Sequence, residues 1–330
     1  MAWQLLTGWQ PAPVVSAVLA AAAAAYLAGA WRVRRRHPAR PWPAGRTCSF
    51  LLGLAVIAVA VEGGPGRYDD VVFSAHMIQH LLLIMAAPPL LVFGRPVTLA
   101  LHAARNPVHT WVKRALRSRP VTALTRPSVT VVLYGAVVAG THTPPVMDLV
   151  VRTGAAHHAE HLLYLATGYL YFLPVIGSEP VRWRVWMPGR YLLLLAGMQV
   201  DTVTGVVLMV AGHEIFPVYA HAHAPGWAAP PLAGLHSGGM IMFIGSDLVM
   251  IALALAVSVA FLHDPRAAGR VGGWAEGIRR SGLARRLAAA GVAAPPQRPG
   301  AAVDDDAHLA AYNAYLSRLG AGPGRGPRPG

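Results

Sequence analysis

Apolar residues gather in seven long stretches, near 11–31, 47–62, 71–94, 127–141, 155–177, 190–211 and 231–262, and the connections between them carry most of the charge. A helix needs about 20 apolar residues to cross roughly 30 Å of hydrocarbon, so the second and fourth stretches are short for that task. The pattern predicts an all-α integral membrane protein, a bundle of about seven transmembrane helices over residues 1–262. Pro88 and Pro89 interrupt the third stretch and Pro174 the fifth, which predicts bends there. In the connection 95–126, Leu99, Leu101, Val108, Trp111, Val112 and Leu116 mix with Arg105, Lys113, Arg114 and Arg117. That mixture predicts an amphipathic helix lying at the membrane surface.

Residues 263–330 form a basic tail. Within it, 291–300 reads as a linker and 321–330 as a disordered end. Asp304, Asp305 and Asp306 precede Leu309, Tyr312, Tyr315, Leu316 and Leu319, the signature of a short amphipathic helix.

Composition agrees with a membrane. Only 13% of residues are charged and 55% are hydrophobic, where ordinary soluble domains carry about a quarter charged residues. The net charge of +14 would suit nucleic acid if it were evenly spread, and it is not. Lys and Arg fall in 32–46, 95–126, 178–190 and 263–330, with only Arg67 and Arg152 in the alternate connections. The positive-inside rule then places the amino terminus outside and the carboxyl tail in the cytoplasm, in a multi-pass protein of the cell membrane. Met1 to Pro13 carries no Lys or Arg, so the first stretch reads as a retained helix instead of a signal peptide. A single cysteine, Cys48, excludes a Cys-rich metal site and an internal disulfide.

On this topology ten of the fifteen histidines fall at the outer ends, in the outer halves or in the outer loops. Ionisable groups inside a membrane are costly and mark functional sites. His76 and His80 lie one turn apart on one helix face, with Met77 beside them. His157, His158 and His161 open the fifth stretch together with Glu160, a candidate ligand or an acceptor that fixes an imidazole tautomer. His236 precedes Met240 by one turn, and His142, His213, His221 and His223 lie at neighbouring ends. Imidazole and thioether together suit copper, above all Cu(I). Asp201 and Asp247 are the remaining intramembrane acids, read as structural or proton-linked groups. The metal candidates are therefore His76, His80, His157, His158, His161 and His236, supported by Met77, Glu160, Met240, Asp201 and Asp247. The same histidines could instead hydrogen-bond within the bundle.

These residues resemble the multi-spanning bacterial CtaG family of cytochrome c oxidase assembly factors. The resemblance rests on Ser74-Ala75-His76-Met77-Ile78-Gln79-His80-Leu81-Leu82-Leu83, on Ala87-Pro88-Pro89-Leu90-Leu91 with Gly94, and on His158-Ala159-Glu160-His161-Leu162-Leu163 through Phe172. The tail stretch Ala311-Tyr312-Asn313-Ala314-Tyr315-Leu316 is similar to the ending of actinobacterial members. The last span departs from the family pattern: Gly234-Leu235-His236-Ser237-Gly238-Gly239 stands where an Asp-Gln-Gln run is expected. The resemblance implies a non-catalytic part in maturing a haem-copper oxidase, helping copper reach its buried site in an oxidase subunit. The rival readings are a haem-binding or quinol-oxidising redox protein, a proton-coupled transporter using Asp201 and Asp247, and a scaffolding factor that holds no metal.

Overall fold

The computed structural model describes residues 7–183, 185–263, 265–289, 291 and 306–320, and every described element is helical. The chain divides into two compact units, Met1–Leu255 and Ala256–Gly330.

In the first unit, α1 (Pro13–Arg36) and α2 (Ala44–Glu62) are followed by a long interrupted helix. It comprises α3 (Phe73–Leu81), a π turn (Leu82–Ala86) and α4 (Ala87–Phe93). Neither Pro88 nor Pro89 can donate to a carbonyl one turn earlier, and the π turn occupies that gap. The connection expected to hold one surface helix holds several short ones, including α5 (Pro96–Ala103) and α6 (Val108–Leu116). Leu99 of α5 is buried, whereas α6 buries no residue and leaves Trp111 exposed.

α7 (Pro127–Thr141) and α8 (Pro144–Arg152) meet at an angle of 76° across a break that contains His142. α9 (Gly154–Ile176), α10 (Met187–Met209) and α11 (Pro231–Met240) follow, and a second π turn (Ile241–Gly245) leads into α12 (Ser246–Leu262). Among the described residues, five helices are long and apolar enough to cross a membrane, or six if α7 and α8 make one broken span. The expected count was seven, and the difference lies at α9. It has 23 residues, but His157, His158, Glu160 and His161 lower the apolarity of its first turns.

Large apolar side chains such as Val132, Leu162, Leu192 and Leu248 are exposed. In water such a surface would be a liability; toward lipid it is the expected face. Helix contacts inside the bundle rest on small residues. Gly205 of α10 and Gly239 of α11 oppose each other so closely that a Cβ on either would lie 2.7 or 2.6 Å from the other's carbonyl oxygen. Gly168 of α9 sits against Ile84 of the π turn, and a Cβ there would lie 2.2 Å from the Ile84 carbonyl oxygen. That close approach packs α9 against the π turn and α4.

Beyond Pro265 the tail forms α13 (Pro265–Ala289), which the Gly- and Pro-containing sequence does not announce. The short helix expected after the aspartates is α14 (Asp306–Gly320). Asp304, Asp305, all of the expected linker 291–300 except Gly291, and the end 321–330 lie outside the described residues.

Candidate metal centre

α9 packs against the π turn and α4, and its first turns bring the His-Glu-His stretch up to the paired histidines of α3. His76 and His80 project from one face of α3, and their ring centroids are 4.1 Å apart. Glu160 projects from α9 between them. Its Oε2 lies 3.3 Å from His80 Nε2 and 3.6 Å from His76 Nε2. All three side chains are buried, His76 completely. Glu160 thus faces the histidines of a different helix.

Among the described residues, none of these nitrogen and oxygen atoms has a hydrogen-bond partner of good geometry: both ring nitrogens of His76 and His80 and both carboxylate oxygens of Glu160 are buried and unsatisfied. The imidazole–carboxylate approaches are close but not aligned for a hydrogen bond. Nearly all buried polar groups in native proteins are paired, because an unpaired one pays its full desolvation cost. A cation coordinated by the two Nε2 atoms and Oε2 would remove that cost. The spacing fits. With metal–ligand bonds of about 2.05 Å, neighbouring ligand atoms of a tetrahedral site stand about 3.3 Å apart. The donor set, two imidazoles and a carboxylate, suits copper, zinc or iron.

A second triad adjoins the first. The His157 ring stacks 5.7 Å from the His76 ring, and Asp69, His157 and His161 offer three ligand atoms within 4.8 Å of one another. His157 Nε2 lies 3.3 Å from Asp69 Oδ2. That carboxylate also accepts a 2.6 Å hydrogen bond from Gln79 Nε2, which in turn donates to the Ala60 carbonyl oxygen at 3.1 Å. Tyr219 donates to the Asp69 backbone carbonyl at 2.6 Å. Asp69 is therefore fixed from two sides and orients His157 beside the first triad. The sequence offers no spacing signal for Asp69, which lies in the connection before α3; Gln79 sits inside the paired-histidine stretch but reads there as an ordinary polar residue.

The other sequence candidates lie apart from this cluster. His158 is exposed, its ring 6.1 Å from that of His161. His236 Nε2 bonds to the Ala211 carbonyl oxygen at 2.8 Å, a capping contact between α11 and the end of α10. Met240 is exposed. Asp201 accepts a 2.7 Å hydrogen bond from Tyr134, and Asp247 accepts a 3.4 Å hydrogen bond from Thr202. Met77 stays close to the site, its Sδ 3.4 Å from His142 Nε2. His80 itself stacks on Tyr164 at 4.0 Å between ring centroids.

No solved structure matches the chain significantly. Among curated proteins, the chain is 31% identical over 270 residues to an uncharacterised protein of Mycobacterium bovis, covering 80% of this chain and 40% of that one. It is 28% identical over 275 residues to an uncharacterised protein of Mycobacterium leprae, covering 81% of this chain and 41% of the relative. The chain therefore spans about two fifths of the length of the curated relatives it matches. The sequence pattern of one family covers residues 24–264, a stretch that includes both triads and the two π turns. The chain belongs to the cytochrome c oxidase caa3 assembly factor family, Caa3_CtaG.

Proposed function

We propose that this protein assists the assembly of a cytochrome c oxidase in the cell membrane, without catalytic turnover, by holding a copper ion as cargo at His76, His80 and Glu160. The assembly role comes from family membership. The copper role rests on one observation: two imidazoles and a carboxylate are buried together at ligand spacing with no hydrogen-bond partner among the described residues. Three protein ligands leave a position open for a donor from the receiving subunit, so the ion can leave by ligand exchange. His157 and His161, steadied by Asp69, form the neighbouring station. The bias of Lys and Arg along the sequence puts this end of the bundle outside and the basic connections in the cytoplasm.

A bis-imidazole haem suits the geometry less well. Such a haem needs its two rings on opposite faces of the macrocycle, whereas the His76 and His80 rings stand only 4.1 Å apart.

Anaerobic Cu(I) titration and Co(II) titration of the detergent-purified chain test the reading, with His76→Ala/His80→Ala as the comparison. Stoichiometric binding that disappears in the folded variant is the expected result. Absence of binding in the wild type overturns copper handling and leaves the histidines as core groups of a scaffolding factor.

A further inference from the structure

Beside the first triad lies a small chamber of about 20 Å³, walled by Met77, His80, Met85, His142, Asp201 and Met242 among others. That volume admits about one water-sized particle. Three of the chain's ten methionines line it, together with two imidazoles.

His142 shows what the chamber is short of. Its Nδ1 lies 2.7 Å from the Val138 carbonyl oxygen, which can only accept. The proton of a neutral His142 is therefore on Nδ1, and Nε2 carries a bare lone pair. That lone pair faces Met77 Sδ at 3.4 Å, and a thioether has no proton to give. Two acceptors face one another. A second proton on the ring or a cation between the two atoms is needed to make the contact favourable. A second thioether, Met85 Sδ, lies 3.6 Å from the Tyr134 hydroxyl, which donates to Asp201 at 2.7 Å. The chamber thus combines soft donors with one carboxylate.

We propose that this chamber is a second, softer subsite for a monovalent thiophilic cation of the Cu(I) class, held by His142 Nε2 and the thioethers of Met77, Met85 and Met242. The inference rests on the copper reading of the His76–His80–Glu160 triad and adds a destination for the ion inside the protein. His80 belongs to both: its Nε2 faces Glu160 and its ring lines the chamber. An ion can exchange the Glu160 side of His80 for the methionine side with no change of oxidation state. The first triad, with a carboxylate among three ligands, favours harder ions; the chamber favours softer ones.

The test uses two ions of different softness on the full chain in detergent: Ag(I), a monovalent thiophilic probe, and Co(II), a divalent one. Methionine methyl resonances report thioether coordination directly. Wild type is expected to take up both, with Ag(I) shifting the methyl signals of Met77, Met85 and Met242. Met77→Leu/Met85→Leu/Met242→Leu keeps side-chain volume and should weaken Ag(I) binding by roughly 10–100-fold while Co(II) binding stays. His76→Ala/Glu160→Gln should do the reverse. If the triple variant misfolds, Met242→Leu alone, with the two remaining methyl signals followed, gives the answer. Undiminished Ag(I) binding in the leucine variant, or methyl shifts confined to other methionines, overturns the chamber. Loss of Co(II) binding in every protein, with Ag(I) retained in wild type, instead overturns the triad and leaves the chamber standing.

Discussion

Glu160 and Glu179 are both buried glutamates, and their surroundings differ in one respect that separates function from architecture. Glu179 lies in the connection after α9 and is fully occupied. Its Oε1 accepts from the Val97 amide at 3.0 Å, and its Oε2 accepts from the Thr98 amide at 2.9 Å and the Thr98 hydroxyl at 2.5 Å. These are the free donors at the start of α5, a helix with no cap from its own neighbouring residues. Glu179 is a helix cap delivered from a distant part of the chain. Glu160 has the same chemistry and the same burial, but among the described residues neither oxygen accepts a hydrogen bond, and only the two imidazoles of α3 come near Oε2. A carboxylate kept in that state is poorly explained by stability and well explained by a ligand.

The largest separation between the two should come from neutralising them. Glu160→Gln is expected to weaken Co(II) binding by about 100-fold or more while thermal stability holds or rises, because an uncompensated buried charge has been removed. A stability loss without a change in metal affinity would reverse the assignment. Asp69→Asn acts one shell further out and should cost roughly 10-fold in affinity, read by the same titration. Glu179→Ala should leave metal affinity unchanged and destabilise the fold by about 1–2 kcal/mol, seen as a lower thermal midpoint in detergent. If that variant loses metal, the two ends of the bundle are coupled and the contrast fails.

The smallest effect is one of pH, and its sign differs between the two carboxylates. Burial pushes the Glu179 carboxyl above its ordinary range, partly countered by its hydrogen bonds to Thr98 and Val97. A folded-state value above the unfolded one gives stability that is fully present below the unfolded value and is lost as pH rises through the folded one. Acidification from neutral pH should therefore steady the α5 junction slightly. Metal at His76, His80 and Glu160 should be released over the same change, because its ligands must be unprotonated. Thermal midpoints of apo and loaded protein across pH 5–8 read both trends, and parallel curves would show that no ion is held.

The second glutamate was not legible as a cap because nothing local marks it: 81 residues separate Glu179 from Thr98. The candidate site was partly legible for the opposite reason. Spacing of four residues on one helix is a local geometric fact, so His76 and His80 could be paired from the sequence. The same spacing paired His157 with His161, and their ring centroids are 4.5 Å apart. Spacing said nothing about which helix faces which. His236 and Met240 satisfy the same rule as His76 and His80, yet one joins Ala211 and the other is exposed. Asp69, Gln79, His142, Met85 and Met242 join the two sites through contacts between segments far apart in sequence.

The sequence by itself determined the membrane class, the helical content, the basic connections and the two-histidine face of α3, because apolar length, charge and a 3.6-residue period are local properties. It also carried the family through the stretches around His76, Pro88 and Glu160. Tertiary structure alone decided that Glu160 closes on α3, that Asp69 steadies His157 and that three methionines and His142 line one chamber. The physical reason is the close packing of α9 against the π turn at Gly168 and Ile84. That approach, permitted by a missing Cβ and by two prolines that cannot donate, sets which buried polar atoms meet and which are left for an ion to satisfy.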